Sequence, residues 1–240
     1  MSSPDPILPL LSTGTLALKG QFVWGSNYTF LMEVSVGGQV IPAVYKPARG
    51  ERPLWDFPEG TLAQREVAAY VVSRALGWDL VPPTVLRPDG PAGPGSLQLF
   101  VDADPERHYF AFSVEERQRL RPAAAFDLLV NNADRKAGHV LLGEQGRLWL
   151  IDHGVCFHAE DKLRTVVWDF VGETIPEDLL DDIRSFRQAL AHDAALQDEL
   201  GELLSPEEVT ALRARANRLI RSKRFPPPTS SDRPYPWPLV

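Results

Sequence analysis

Residues 131–142 read NNADRKAGHVLL and residues 147–157 read RLWLIDHGVCF. The runs HVLL and RLWLID, joined by the turn from Gly143 to Gly146, predict a hairpin. Asp134 lies in the loop before its first strand and Asp152 at the end of its second. Two carboxylates brought together in this way suit phosphoryl transfer. One orients or deprotonates an acceptor hydroxyl, and the other holds the cation that bridges the phosphates. Each aspartate also has a plainer reading, Asp134 as a turn cap and Asp152 as the close of a strand before Gly154. Spacing alone leaves both readings open.

Upstream, residues 14–47 alternate as strands do, and Gly37-Gly38 between two such runs is a hairpin signal. The third run ends AVYKP, with Lys46 near its end. A lysine on a strand is ordinarily a solvated edge residue, whereas in kinase-like sites it grips phosphates and is oriented by a helix glutamate. Thr61 with Gln64 forms a capping-box pattern that opens a helix ended by Gly77. Glu66 borders the apolar stripe Ala63, Val67 and Tyr70 of that helix, so it is the expected partner of Lys46. The stretch Gly20 to Asn27, with Gly25 and Ser26, offers backbone N–H groups as a phosphate cover, or simply marks a turn. Residues 78–88 and 95–103 predict two more strands around a Gly/Pro loop, completing five strands and one helix.

Downstream the chain is mainly helical. Ser113 with Glu116 opens a short helix, Pro122 sits in the first turn of the next, and Thr174/Glu177 and Ser205/Glu208 begin two more. Residues 192–204 are helical in composition, and the proline-rich tail after Phe225 is extended, loose or lying on the surface. The first fifteen residues carry three prolines and no basic start, so a signal peptide is not expected. The fold class expected is α+β. It comprises one domain with a small antiparallel-sheet lobe (14–97), a connecting segment (98–103), a mainly helical lobe (104–225) and the tail (226–240).

Composition narrows the partners. A net charge of −7 argues against nucleic acid and against an anionic membrane surface. No apolar run reaches the ~20 residues that span a bilayer. The single cysteine, Cys156, permits no intrachain disulfide, so a cytoplasmic protein is the default expectation.

In order, Val44-Tyr45-Lys46-Pro47, Leu80-Val81-Pro82-Pro83-Thr84, Gly95 to Val101, Asn132-Ala133-Asp134-Arg135 and Ile151-Asp152-His153-Gly154 resemble the phosphatidylinositol 3-/4-kinase superfamily. Within it they are closest to type II phosphatidylinositol 4-kinases, actin-fragmin kinase and small bacterial relatives. The resemblance covers roughly residues 20–157. It implies that Lys46, paired with Glu66, binds ATP phosphates and that Gln98, Leu99, Phe100 and Val101 form the adenine-binding hinge. Asp134 would be the catalytic aspartate, followed by Arg135, and Asp152 would hold Mg or Mn.

One position departs from the family pattern. Five residues after the catalytic aspartate the family carries an asparagine that binds a second metal, and His139 stands there. Imidazole suits Mn, Fe or Zn better than Mg, so His139 tunes the metal, replaces it as a cation or abolishes it. His153, Cys156 and His158 do not match a common structural zinc spacing. Cys156 reads as a small buried residue, and His153 takes the middle place of a D-F-G-type motif. Two functions of different class follow: an ATP-dependent phosphotransferase, or a catalytically inactive nucleotide-binding scaffold. Nucleotidyl transfer is a third. Between His158 and Gly172, Lys162 and Arg164 are balanced by Glu160, Asp161 and Asp169, which favours a protein or small-molecule acceptor over an inositol lipid.

Overall fold

The computed structural model describes residues 6–22, 27–228 and 233–240. Gly25 and Ser26, expected as a phosphate cover, lie outside them. The fold is α+β. Strands β1 (Thr15–Gln21), β2 (Phe30–Val36), β3 (Gln39–Pro47), β4 (Thr84–Gly90) and β5 (Gly93–Leu99) form an antiparallel sheet in the order β1-β2-β3-β5-β4. Three features depart from the sequence expectations here. A helix, α1 (Ile7–Thr13), precedes β1 despite the prolines around it. Arg87 holds its end by donating to the Leu11 carbonyl at 2.7 Å and the Gly14 carbonyl at 3.0 Å. The predicted loop at 88–95 is mostly strand, because Gly90 lets the backbone pass Tyr45 where a Cβ would collide with the ring.

Strand alternation sorts the sheet into two faces. Tyr45, paired with Phe30 and Leu97, joins Leu11, Met32, Val34 and Ala43 in a small core under α1. Lys46, paired with Ser96, and Val44, paired with Gln98 and Leu31, occupy the opposite face. Helix α2 (Leu62–Ala75) contacts β4 and β5. Its cap is the third departure. Thr61 makes no side-chain cap bond, and its hydroxyl donates to the Pro58 carbonyl instead. The Glu51 carboxylate arrives from the preceding loop and accepts from the Leu62 and Ala63 amides at 3.4 and 3.2 Å.

The helical half contains α3 (Val114–Gln118), α4 (Arg121–Val130), α5 (Glu177–His192), α6 (Ala194–Gly201) and α7 (Pro206–Ser222), with the hairpin β6 (Val140–Leu142) and β7 (Leu148–Leu150). Capping boxes form at Ser113 and Ser205 as predicted. The one expected at Thr174 does not. Helix α5 starts after Pro176 without a side-chain cap, and Thr174 bridges to Arg224. The larger core joins α2 to α4, α5 and α7 through residues such as Val71, Phe126, Ile183 and Leu212. The described tail residues, 226–228 and 233–240, lie on the surface. The Leu239 carbonyl accepts from the Ala137 amide and the Pro234 carbonyl from the Thr165 amide. Among the described residues no helix is long and apolar enough to cross a membrane.

Candidate active site

Lys46, Glu66, Asp134 and Asp152 line one cleft between the sheet and the hairpin. The Lys46 ammonium contacts Glu66 Oε1 and lies 2.9 Å from Asp152 Oδ1. Glu66 uses its other oxygen to accept from the His153 amide at 2.9 Å. Asp152 adopts φ 61°, a left-handed conformation uncommon for a residue with a side chain. That turn after β7 brings its carboxylate back toward β3. Gly154 permits the close approach of this segment to α2, since a Cβ there would sit 3.3 Å from Leu62 Cβ.

Charge follows from these contacts. Burial acts to lower the Lys46 ammonium, but the carboxylates of Asp152 and Glu66 outweigh it and raise the group, so it stays protonated. Burial works against the ionised Asp152 carboxylate, yet Lys46 prevails and holds it well below the usual range. Burial raises Glu66, against the pull of Lys46. Lys46→Met therefore leaves Glu66, 4% exposed, without its counter-charge. Because the Asp152 side chain is 46% exposed, solvent screens much of the effect. The expected loss is about 2 kcal/mol, below the range for fully buried pairs. Thermal melts check the sign. A raised carboxylate pKa makes the folded state more stable as pH falls, so the gap to wild type should narrow in acid.

Asp134 lies across the cleft, 3.2 Å from Lys136 Nζ. Burial pushes its carboxyl up to about 6, with Lys136 opposing. Its amide donates to Asn132 Oδ1 at 2.9 Å, which sets the loop.

Arg135, expected beside Asp134 as catalytic, does not face the cleft. It is fully buried, paired with Asp127 of α4 at 3.0 Å. It also donates to the Ile151 carbonyl at 2.6 Å and approaches His153 Nε2 at 2.8 Å. Arginine has no acceptor, so Nε2 of His153 accepts and its proton sits on Nδ1. Asp127 further accepts from Thr165 Oγ1 at 3.1 Å, making it the hub of the loop. Sequence reading missed Asp127 because a lone aspartate in a helix carries no signal of burial.

His139 was expected as a metal ligand with Asp152. The Lys136 amide faces its Nδ1 at 3.4 Å, and its Nε2 lies 3.2 Å from Asp152 Oδ2. Burial first, then nearby cations, lowers the imidazole to about 4, so the ring is neutral. With Nδ1 accepting, the ring proton is on Nε2, 3.2 Å from Asp152 Oδ2, and neither nitrogen presents a free lone pair to a cation. Among the described residues no group of three or more His, Cys, Asp or Glu side chains is placed to hold an ion. Asp152 is the residue of this pair whose oxygens would suit a hard cation, and both already face other side chains, Oδ1 that of Lys46 and Oδ2 that of His139.

Of the residues expected as hinge, Gln98 and Leu99 belong to β5. Gln98 is inside β5, between Val44 and Thr84, and its amide donates to Thr84 Oγ1 at 2.8 Å. The Leu99 and Phe100 amides are taken by the Pro83 and Pro42 carbonyls. Val101 is the first hinge residue whose amide is unengaged among the described residues.

No family model matches the chain. Protein Rv2133c of Mycobacterium tuberculosis is 41% identical over 99% of this chain and 97% of its own length. The chain belongs to the Rv2133c family. Phosphatidylinositol 4-kinase gamma 4 of Oryza sativa is 31% identical, over 60% of this chain. Phosphatidylinositol 4-kinase gamma 2 of Arabidopsis thaliana is 30% identical over the same share. The aligned region spans 32% and 35% of these two kinases. Among solved structures, the Golgi casein kinase superposes with a TM-score of 0.52 at 17% identity, over 94% of this chain and 75% of that one. The chain thus has a kinase-like fold.

Proposed function

We propose that the chain is an ATP-dependent phosphotransferase using Mg or Mn. The observation that carries this reading is the Lys46 ammonium set between Glu66 and Asp152 on the cleft that Asp134 also lines. Lys46 supplies positive charge to the nucleotide phosphates, and Glu66 aims it. Asp152, held ionised, is the residue that would hold the cation, whose chemistry is to neutralise the phosphates. Val44 and Leu31 on the Lys46 face of the sheet offer an apolar ceiling for the base. Asp134 takes the proton of an acceptor hydroxyl as its oxygen bonds to the γ-phosphorus and the bond to the ADP oxygen breaks.

The acceptor is a protein or small molecule. The Lys162 ammonium, one of the two cations between His158 and Gly172, is held by Asp56 at 3.0 Å and Glu160 at 3.7 Å. Phosphatidylinositol, the substrate in the plant relatives' name, is the competing acceptor, and the chain spans only about a third of those proteins. A second reading, an inactive nucleotide-binding protein, is favoured by His139 alone, because its neutral ring sits 3.2 Å from Asp152 where the family carries a metal-binding asparagine.

Thermal melts with ATP under Mg, Mn and no metal test both. ATP at about 100 times its Kd should add ~2.7 kcal/mol, or roughly 5–10 °C for a chain of this length, and only with metal present. A flat titration under all three conditions would reject nucleotide binding. Single-turnover transfer from labelled ATP to any acceptor rejects the inactive reading, and the mass of the modified acceptor distinguishes phosphoryl from nucleotidyl transfer.

A further inference from the structure

The helix that aims Glu66 is also tied to the helical half by groups outside the cleft. Arg65, the preceding residue, is 2% exposed. One guanidinium nitrogen donates to the Cys156 carbonyl at 2.7 Å, and another meets Glu208 Oε1 at 2.5 Å. The guanidinium also lies over the Phe57 ring, 4.9 Å from its centroid. Glu208 is fixed in turn, because its second oxygen accepts from the Ser205 amide at 2.9 Å in the capping box of α7. Farther along, Arg74 pairs with Glu199 of α6 at 2.5 Å, and Trp78 donates to Asp182 of α5 at 2.8 Å.

Successive helix residues point about 100° apart. Arg65 and Glu66 therefore fix the rotation of α2 from two directions, one toward the helical half and one toward Lys46. Only a planar fork can serve the Cys156 carbonyl and the Glu208 carboxylate together, which a lysine ammonium does poorly. Cys156 follows Asp152 by four residues, so the same guanidinium also registers the segment bearing the metal-side aspartate against the helix.

We propose that Arg65 and Glu208 are positioning residues for the phosphate site. They hold α2 so that Glu66 meets Lys46 and the His153 amide before nucleotide arrives, leaving the site assembled in the free protein. A buried ion pair contributes little net stability compared with uncharged substitutes of similar size. Geometry is what this pair secures.

The test is the double variant Arg65→Met/Glu208→Gln. It removes both charges and keeps a residue able to complete the α7 capping box. Amide exchange is read by NMR on the nucleotide-free protein, and ATP affinity is read separately. The His153 amide, which donates to Glu66, should exchange at least ten-fold faster, and ATP should bind about ten-fold more weakly. Ser205→Ala is the control, since it loosens the same helix start without removing either charge. It should lower the melting temperature without selectively exposing the His153 amide.

Wild-type protection of the His153 amide in the double variant overturns the proposal. So does a loss of protection spread evenly over α5, α6 and α7, which marks a merely structural role. If the double variant does not fold, Arg65→Lys is measured in the same way, with intermediate exchange expected and wild-type exchange overturning the idea. The nucleotide readout rests on the phosphotransferase reading and the exchange readout does not. Absence of ATP binding in wild type therefore rejects that function while exchange still decides the role of Arg65.

Discussion

Asp134→Asn is expected to lower kcat by about 10²- to 10⁴-fold, the usual contribution of a positioned acid or base, while nucleotide affinity stays within a few-fold. The asparagine keeps the size of the side chain but cannot take the acceptor's proton, and Asp134 makes no contact with Lys46 or Glu66. The pH profile gives a second check. With the carboxyl raised to about 6, wild-type kcat/KM should climb as pH rises through that value and then level, and the variant should lose this limb.

Stability should move the other way. The folded pKa lies above the unfolded one, near 4. The folded state therefore binds the proton more tightly, and the stability this confers is lost as pH rises through about 6. Above pH 6 the asparagine variant should be the more stable by about 1 kcal/mol, or ~2–4 °C. That figure is discounted because the side chain is 33% exposed. Below pH 4 the difference should vanish. A variant that loses activity and stability together at pH 7 would mean that Asp134 holds the loop instead of serving the chemistry.

Arg135→Met should give the largest loss of stability. It leaves Asp127 fully buried with one neutral hydroxyl donor and one long amide contact at 3.4 Å. Removing one partner of a buried pair costs about 3–5 kcal/mol, which for a chain of this length lowers the melting temperature by roughly 6–20 °C. The Ile151 carbonyl loses its donor as well, and the His139 carbonyl keeps only the Ile151 amide. Arg135→Met/Asp127→Asn should recover part of the loss, because no charge remains stranded. If Arg135→Met melts like wild type and loses only turnover, Arg135 acts on the substrate after all and the buried network has been misjudged.

Local signals identified most elements. Gly37-Gly38 turns β2 into β3 with both glycines at positive φ, and the boxes at Ser113 and Ser205 form as read, because each involves groups three residues apart. The boxes expected at Thr61 and Thr174 fail for a reason outside their own windows. Glu51, ten residues before Thr61, supplies the donors' partner for α2, and Thr174 is drawn into a bridge with Arg224. Helix α1 was missed because its stability comes from packing Leu11 under the sheet, not from propensity.

By itself the sequence determined the order of most strands and helices, the residue types of the site and a kinase-like arrangement, all of which rest on short-range periodicity and on motif order. Tertiary structure alone decided which of those residues meet. Lys46, Glu66 and Asp152 come from β3, α2 and the end of β7, and they converge only because the sheet, the helix and the hairpin pack around one cleft. The same packing turned Arg135 inward to Asp127 and buried His139 beside Asp152 as a neutral ring. Burial and hydrogen-bond partners set charge and tautomer, and both depend on residues far apart in the chain.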